Sequence, residues 1–126
     1  MINKQINEKA KERDIHERIY KFVIQVIKLT KMLPKNPQND VIIHQIVKSA
    51  SSMGANDQEA DGAESKKDFI AKYAIVKKEN KETNYWLRVI EDTNPGISIR
   101  MDHLKKEGLE LVRIISAIII SAKRKI

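Results

Sequence analysis

Three glutamates, Glu59, Glu79 and Glu82, are the residues of this chain whose type and spacing could support acid–base chemistry. Residues three apart, such as Glu79 and Glu82, are neighbours on a helix surface. Paired carboxylates can serve as general acid and base when one is held close to a substrate. The same groups can instead accept hydrogen bonds from Tyr, Trp, Asn or Lys within a helical bundle or between subunits. No partner nucleophile accompanies them, so the second interpretation is favoured and no catalytic residue is assigned.

The histidines and cysteines do not predict a metal centre. Di-iron helical bundles require Glu-x-x-His on two helices. The histidines at positions 16, 44 and 103 all lack a glutamate three residues earlier. The chain has no cysteine, which excludes disulfides, thiolate nucleophiles and cysteine zinc sites together. The sequence therefore predicts neither a metal nor a cofactor.

Gly54, Tyr85 and Trp86 could each contact nucleic acid, but each also has a structural interpretation. A phosphate-binding loop needs several glycines entering a helix, whereas Gly54 stands alone and predicts close packing of two helices. Tyr85 and Trp86 could stack on unpaired bases. An aromatic pair at helical spacing is more typical of a core or an interface, where the indole N–H finds an acceptor.

Positive charge is concentrated at both ends of the chain. The net charge is +7, and residues 1–35 hold nine Lys/Arg against four Asp/Glu, while residues 36–64 hold one against five. A basic surface attracts polyanions by releasing their counterions, although the same charge can serve solubility alone. A lysine row on the first helix, Lys21, Lys28 and Lys35 with Lys31 nearby, could follow phosphates or be the solvated face of that helix. The candidate phosphate contacts are Lys21, Lys28, Lys31, Lys35, Arg113, Lys123, Arg124 and Lys125.

Apolar residues recur at helical spacing in four segments, which predict the elements that position these side chains. The predicted helices run from Asp14 to Leu33, from Pro37 to Asp61, from Lys66 to Glu91, and from Ser98 or Arg100 to Lys123.

Capping and turn residues mark most of the predicted helix ends. Asp14 can cap the first helix, Asn36 the second, and Ser65, with Asp68 three residues later, the third. Pro34 stops the first helix. Gly62 is predicted to end the second helix in left-handed geometry.

Four helices joined by short loops predict an all-α fold, an up-down-up-down antiparallel four-helix bundle. Residues 14–126 form this bundle, and residues 1–13 are predicted to be a polar N-terminal extension. The second half of the fourth helix is apolar nearly all round, so another subunit is expected to cover it. Neither a signal peptide nor a membrane span is predicted, and a cytoplasmic location is expected.

A set of spaced residues closely resembles the bacterial 23S rRNA intervening-sequence proteins, also labelled S23 ribosomal proteins. The resemblance covers roughly Asp14 to Ala122. Its departures lie at Met53-Gly54, where many members have proline nearby, and at residues 61–64, where a glycine-rich stretch is common. The motif residues expected to shape the bundle and its interfaces are Ser52, Gly54, Asn56, Glu59, Ser65, Asp68, Phe69, Glu79, Glu82, Tyr85 and Trp86.

The resemblance implies a four-helix bundle that assembles into a ring-like homopentamer. It also implies kinship with the accessory protein of diversity-generating retroelements, in which a basic pentamer engages nucleic acid and a reverse transcriptase. The expected function is therefore a non-enzymatic, homo-oligomeric accessory protein that binds RNA or DNA without sequence preference. The alternative is a protein–protein assembly scaffold with no nucleic-acid role.

Overall fold

The computed structural model describes the backbone of residues 2–125 and, within it, the side chains of residues 14–98 and 101–125. In this part of the chain, four α-helices pack around one hydrophobic core and no strand is present. The all-α architecture is thereby confirmed, and the arrangement fits a four-helix bundle. The helices are α1 (Ile2–Thr30), α2 (Pro37–Asp61), α3 (Lys66–Thr93) and α4 (Ser98–Arg124).

The helices α2 and α3 begin at their predicted caps. The side-chain oxygen of Asn36 accepts a hydrogen bond from the backbone N–H of Asn39 at 2.7 Å, and Pro37 occupies the first turn. The hydroxyl of Ser65 accepts from the backbone N–H of Asp68 at 3.0 Å. Each cap satisfies a backbone donor that has no partner within its own helix.

Helix α2 ends at Asp61 as predicted, but the start of α1 and the backbone geometry after α2 differ from the prediction. Helix α1 begins at Ile2, so Asp14 lies within the helix and does not cap it. The predicted polar extension covers residues 1–13, and the side chains of these residues lie outside the described ones. Gly62 has a φ of −97° rather than a left-handed value, because the N–H of Ala63 returns to the carbonyl of Ala60 in a right-handed turn.

Helix α1 ends at Thr30, earlier than the predicted Leu33. The backbone N–H groups of residues 31, 32 and 33 each bond to the carbonyl three residues earlier, at 3.0 to 3.3 Å. This tighter 3₁₀-type turn leads directly into Pro34, which cannot continue a helix. As a result, Lys31 and Lys35 lie in the segment between α1 and α2 and not on the helix.

The core is formed by apolar stripes from all four helices. Burying a large aliphatic or aromatic side chain contributes about 1.5–3 kcal/mol each, so these stripes are the main source of stability. Fully buried members are Ile19, Phe22, Val26, Ile46, Met53, Val76, Leu87, Ile90, Leu111 and Ile115.

Two glycines allow close approach between helices. A Cβ placed on Gly54 would lie 3.3 Å from Val23 Cγ2, so α1 and α2 pack tightly there, as the lone glycine predicts. A Cβ on Gly108 would overlap the side-chain oxygen of Asn84 on α3 and lie 3.2 Å from Phe22 Cζ on α1. The absence of a side chain at position 108 is therefore what lets α4 contact both neighbours.

The apolar second half of α4 is only partly covered within one chain. Ile120 is 52% exposed, and Leu109 in the first half is 54% exposed. Among the described residues, no helix is long and apolar enough to cross a membrane.

Candidate functional site

A buried carboxylate connects three helices near the end of α2. Asp57 on α2 is only 1% exposed. Its Oδ1 accepts a hydrogen bond from the Tyr73 hydroxyl of α3 at 2.7 Å. The same carboxylate accepts from Nδ1 of His16 on α1, with Nδ1 lying 2.8 Å from Oδ1 and 3.0 Å from Oδ2. Because a buried carboxylate is costly without such donors, Asp57 requires both partners in place.

The second nitrogen of His16 faces a further carboxylate. Nε2 of the ring lies 3.4 Å from Oδ1 of Asp61, at the exposed end of α2. A carboxylate–imidazole pair can act as a general base when the free ring nitrogen reaches a substrate proton. Here both nitrogens face carboxylates. The geometry therefore supports a positioning role that ties α1 to α2.

Tyr73 is held in its protonated form. Burial raises the pKa of the Tyr73 phenol well above its usual range, and the neighbouring Asp57 carboxylate raises that pKa further. The ring also stacks on Phe69, with centroids 4.7 Å apart and an interplanar angle of 26°. Tyr73 is thus a hydrogen-bond donor within the core.

A cleft with a volume of about 730 Å³ lies beside this network. His16 and Tyr73 form part of its wall, together with apolar side chains such as Ile15 and Ile118 and with the charged Lys66. Its lining thus combines apolar and charged groups from all four helices. Among the described residues, no group of three or more His, Asp or Glu side chains could hold a metal ion.

Sequence reasoning missed Asp57 as a central residue. Its position in the sequence could have identified it, because Asp57 continues the buried series Ile46, Ala50 and Met53 at helical spacing. A carboxylate at a core position predicts buried donors on neighbouring helices. His16 follows Ile15 on the buried side of α1 and could have been identified as one of them.

Several motif residues of α2 and of the start of α3 have structural roles. Lys72 on α3 donates to Glu59 on α2 at 3.0 Å, and the partner carboxylate raises the pKa of this lysine. The Asn56 amide donates to the Ser52 carbonyl and hydroxyl one turn earlier, at 2.9 and 3.2 Å. The contact of Lys72 agrees with the interpretation of Glu59 as a hydrogen-bond acceptor within the bundle.

Glu79 on α3 lies near Lys48 of α2, and Glu82 follows it one turn later on α3. Burial raises the pKa of Glu79, and the adjacent Glu82 raises it further. Lys78 on α3 and Lys48 on α2 oppose the shift.

Tyr85 and Trp86 have different environments although they are adjacent. Tyr85 is 57% exposed and is not a core residue. Trp86 packs partly against the core, and its ring meets Tyr85 edge-on, with centroids 4.9 Å apart. The buried Nε1 of Trp86 has no hydrogen-bond partner among the described residues. The expectation that this indole N–H finds an acceptor is therefore not met within one chain.

The candidate phosphate contacts are all exposed, but they do not form one patch. Lys125 lines the cleft near Ile15 and His16 of α1, whereas Lys31 and Lys35 follow the other end of that helix. From residue 16 to residue 30, α1 rises by roughly 20 Å. Lys31 and Lys35 are thus separated from the basic end of α4 by most of the length of the bundle, with Lys21 and Lys28 between them along α1. Arg113 lies between these two ends along α4.

The comparisons with known proteins agree with this architecture. Residues 11–117 match the model of the 23S rRNA-intervening sequence protein family. The chain is also similar to a crystal structure of a protein with unknown function from the S23 ribosomal protein family of Bacteroides thetaiotaomicron VPI-5482. That likeness has a TM-score of 0.78 at 30% identity, and it covers 86% of this chain and 97% of the other. No curated protein matches. Because the family match covers most of the sequence, the chain belongs to the 23S rRNA-intervening sequence protein family.

Proposed function

We propose that this protein is a non-enzymatic, homo-oligomeric accessory protein that binds RNA or DNA through phosphate contacts, without sequence preference. The observation that carries the proposal is that the eight candidate cations form no ion pair among the described residues. The described ion pairs involving Lys or Arg use Arg18, Lys72 and Lys105. The eight candidate cations are all exposed and take part in none of these pairs. Unpaired surface cations bind phosphates with a gain from counterion release.

The proposed assembly is a ring-like homopentamer of up-down-up-down bundles in the cytoplasm. The helix order is supported by contacts such as Glu91 with Lys105 and Asn84 with Gly108, in which residue numbers rise along one helix and fall along the next. Self-association is supported by the incomplete cover of the second half of α4, where Ile120 is 52% exposed. The partner would be RNA or DNA, with a reverse transcriptase or another protein as a further partner.

The test is a binding titration of the purified protein against structured RNA and duplex DNA over a series of salt concentrations. Light scattering first fixes the mass of the oligomer. The logarithm of the association constant should fall linearly with the logarithm of salt, by about 0.9 for each duplex phosphate contacted. No binding at the lowest salt concentration contradicts the proposal, and a monomer contradicts the assembly.

The second candidate function is a protein–protein scaffold. It is favoured by one observation, the buried Nε1 of Trp86 without an acceptor among the described residues, because such donors normally find a partner. A stable complex with a protein partner that survives neutralisation of Lys21 and Lys28 would support this function.

A further inference from the structure

Helices α3 and α4 share an outer surface on which basic residues outnumber acidic ones. Lys77, Lys81 and Arg88 follow one another on α3 at spacings that place them in one row with Asn84. Asn84 contacts α4, because its amide donates to the Gly108 carbonyl at 3.1 Å. The three cations therefore border the seam between α3 and α4.

A second row of cations lies on α4 at the same seam. Lys106 and Arg113 are seven residues apart, which is about 10 Å along a helix axis. The contacts of Glu91 with Lys105 and of Asn84 with Gly108 set the register of the two helices. In this register, Arg88 is level with Lys106, and Lys81 is level with Arg113. We name Lys77, Lys81, Arg88, Lys106 and Arg113 the α3–α4 basic face.

Several acidic residues of both helices are paired or lie away from this face. Glu107 and Glu110 bind Arg18 of α1, at 2.6 and 3.4 Å. Glu91 is paired with Lys105 at 2.6 Å. After Glu110, the remaining sequence contains no acidic residue.

Asp92 and Asp102 are exposed and lie near Lys105, at the end of the seam next to the turn between α3 and α4. Lys81 and Arg113 lie eleven residues from Asp92 and Asp102, respectively, along their helices, roughly 16 Å.

Glu79 on α3 interacts with Lys48 of α2 and so lies away from the seam with α4. The cations of the basic face form no ion pair among the described residues. Their charge is consequently available to a ligand.

An aromatic side chain stands beside the same rows. Tyr85 lies four residues after Lys81 and three before Arg88, so it is their neighbour on the helix surface. It is 57% exposed and held edge-on by Trp86. Exposed aromatics beside basic side chains are typical of proteins that bind single strands, because an unpaired base can stack on the ring. A duplex keeps its bases stacked on one another and does not offer one to Tyr85.

We infer that the α3–α4 basic face binds single-stranded nucleic acid, with its cations on the phosphates and Tyr85 stacked on a base. The inference rests on the proposed function and assigns it to the α3–α4 basic face. Of the residues on this face, only Arg113 was among the phosphate contacts predicted from the sequence. The lysine row of α1 is the competing surface.

The test compares variants that each lose two positive charges in the full-length protein. Lys81→Gln with Arg113→Gln removes two cations from the basic face. Lys48→Gln with Lys67→Gln removes two exposed cations outside both candidate surfaces. Lys21→Gln with Lys28→Gln removes two cations from the competing surface. The probes are a fluorescent oligothymidylate and its duplex with oligoadenylate. All substituted side chains are exposed, and circular dichroism checks that each variant is folded.

The basic-face variant should bind the single strand more weakly, and its slope against the logarithm of salt should fall by about 1.4, since each single-strand contact contributes about 0.7. The Lys48/Lys67 variant should keep the wild-type slope. If the Lys21/Lys28 variant alone loses the slope, the basic face is overturned while the proposed function stands. If the wild-type protein binds neither probe, the proposed function fails as well.

Tyr85→Ala tests the stacking separately. It should weaken single-strand binding roughly tenfold, within the range that base–aromatic stacking contributes, while the salt slope and duplex binding stay unchanged. Trp86 is the single tryptophan of the chain, so the single strand should also change its emission in the wild-type protein. Equal effects of Tyr85→Ala on both probes, or no effect on either, would overturn the assignment to single strands.

Discussion

Tyr73 donates its phenolic hydrogen bond to the buried carboxylate of Asp57 at 2.7 Å, and this contact links α3 to α2 inside the core. The same carboxylate is bound by His16 of α1. One acidic side chain therefore organises three of the four helices beside the cleft. The contribution of this network to stability depends on all three groups. Removing one of them leaves a buried donor or acceptor without a hydrogen-bond partner.

Asp57→Ala should lower the free energy of unfolding by about 3 kcal/mol. The substitution leaves the buried hydroxyl of Tyr73 and the Nδ1–H of His16 without an acceptor, and each unsatisfied buried donor costs about 1–3 kcal/mol. Urea unfolding followed by circular dichroism measures the change. Asp61→Ala is the matched control, since Asp61 is 68% exposed and lies 3.4 Å from the same histidine. Equal losses in the two variants would contradict a special role for the buried carboxylate.

Tyr73→Phe should cost about 1 kcal/mol at neutral pH, the typical contribution of one hydrogen bond. The cost should shrink as the pH rises above about 10. The folded chain holds the Tyr73 phenol protonated, because burial and Asp57 raise its pKa, whereas the unfolded chain releases that proton near pH 10. Stability linked to a raised pKa is complete below the unfolded value and is lost above it.

The measurement for Tyr73 is the free energy of unfolding of the wild-type protein and of Tyr73→Phe in urea, between about pH 8 and pH 11. The two curves should run in parallel up to about pH 10 and then converge. A gap that stays constant over the whole range would show that the phenol titrates alike in the folded and unfolded chains.

The helices were largely predictable because their signals are local. The caps at Asn36 and Ser65 each satisfy one backbone donor within a single turn, so a few residues of sequence suffice to find them. The end of α1 was harder to predict from the sequence. The turn after Thr30 is right-handed and tight, and the apolar periodicity of the sequence continues through it to the buried Leu33.

The candidate site was harder to predict because its contacts connect distant parts of the chain. His16 and Asp57 are far apart in sequence, and nothing local shows that the two side chains meet. The α3–α4 basic face depends on the register between two helices, which a periodic pattern does not define. Cations could be placed on one helix by their spacing, as in the lysine row, but not matched across two helices.

Glu79→Gln should stabilise the protein slightly at pH 7, by less than about 1 kcal/mol, as for most surface changes. Burial and Glu82 raise the pKa of Glu79 in the folded chain. Its ionised form is therefore less favourable in the folded chain than in the unfolded one, and the neutral amide avoids this. At a pH below about 4, where the carboxyl is protonated in both states, the advantage should disappear.

The melting temperature of Glu79→Gln relative to the wild-type protein, measured at about pH 7 and about pH 3.5, checks this prediction. Glu64→Gln provides the control, because Glu64 is an exposed carboxyl in the segment between α2 and α3. A loss of stability in Glu79→Gln at neutral pH would mean that attraction to Lys78 and Lys48 outweighs burial and repulsion by Glu82.

Gly108→Ala tests the close contact of α4 with α1 and α3. In an exposed helix, replacing glycine with alanine stabilises by about 1 kcal/mol. At Gly108 the new methyl group would overlap the Asn84 amide and lie 3.2 Å from Phe22 Cζ. Overpacking in a core costs typically about 1–3 kcal/mol, so the net effect should be a loss of about 1 kcal/mol or more.

Thermal unfolding of Gly108→Ala, of Gly62→Ala, of Asn84→Ala and of the double variant Gly108→Ala/Asn84→Ala separates packing from helix propensity. Gly62 has a negative φ, and a methyl group placed on it would have no neighbouring atom closer than 3.9 Å, so its substitution should change stability little. Removing the Asn84 amide opens the space that the methyl group on residue 108 needs. The double variant should therefore lose less stability than the sum of the losses in the two single variants, as expected for residues in contact. Strict additivity would mean that the two side chains do not compete for that space, and α4 would owe its position to other contacts.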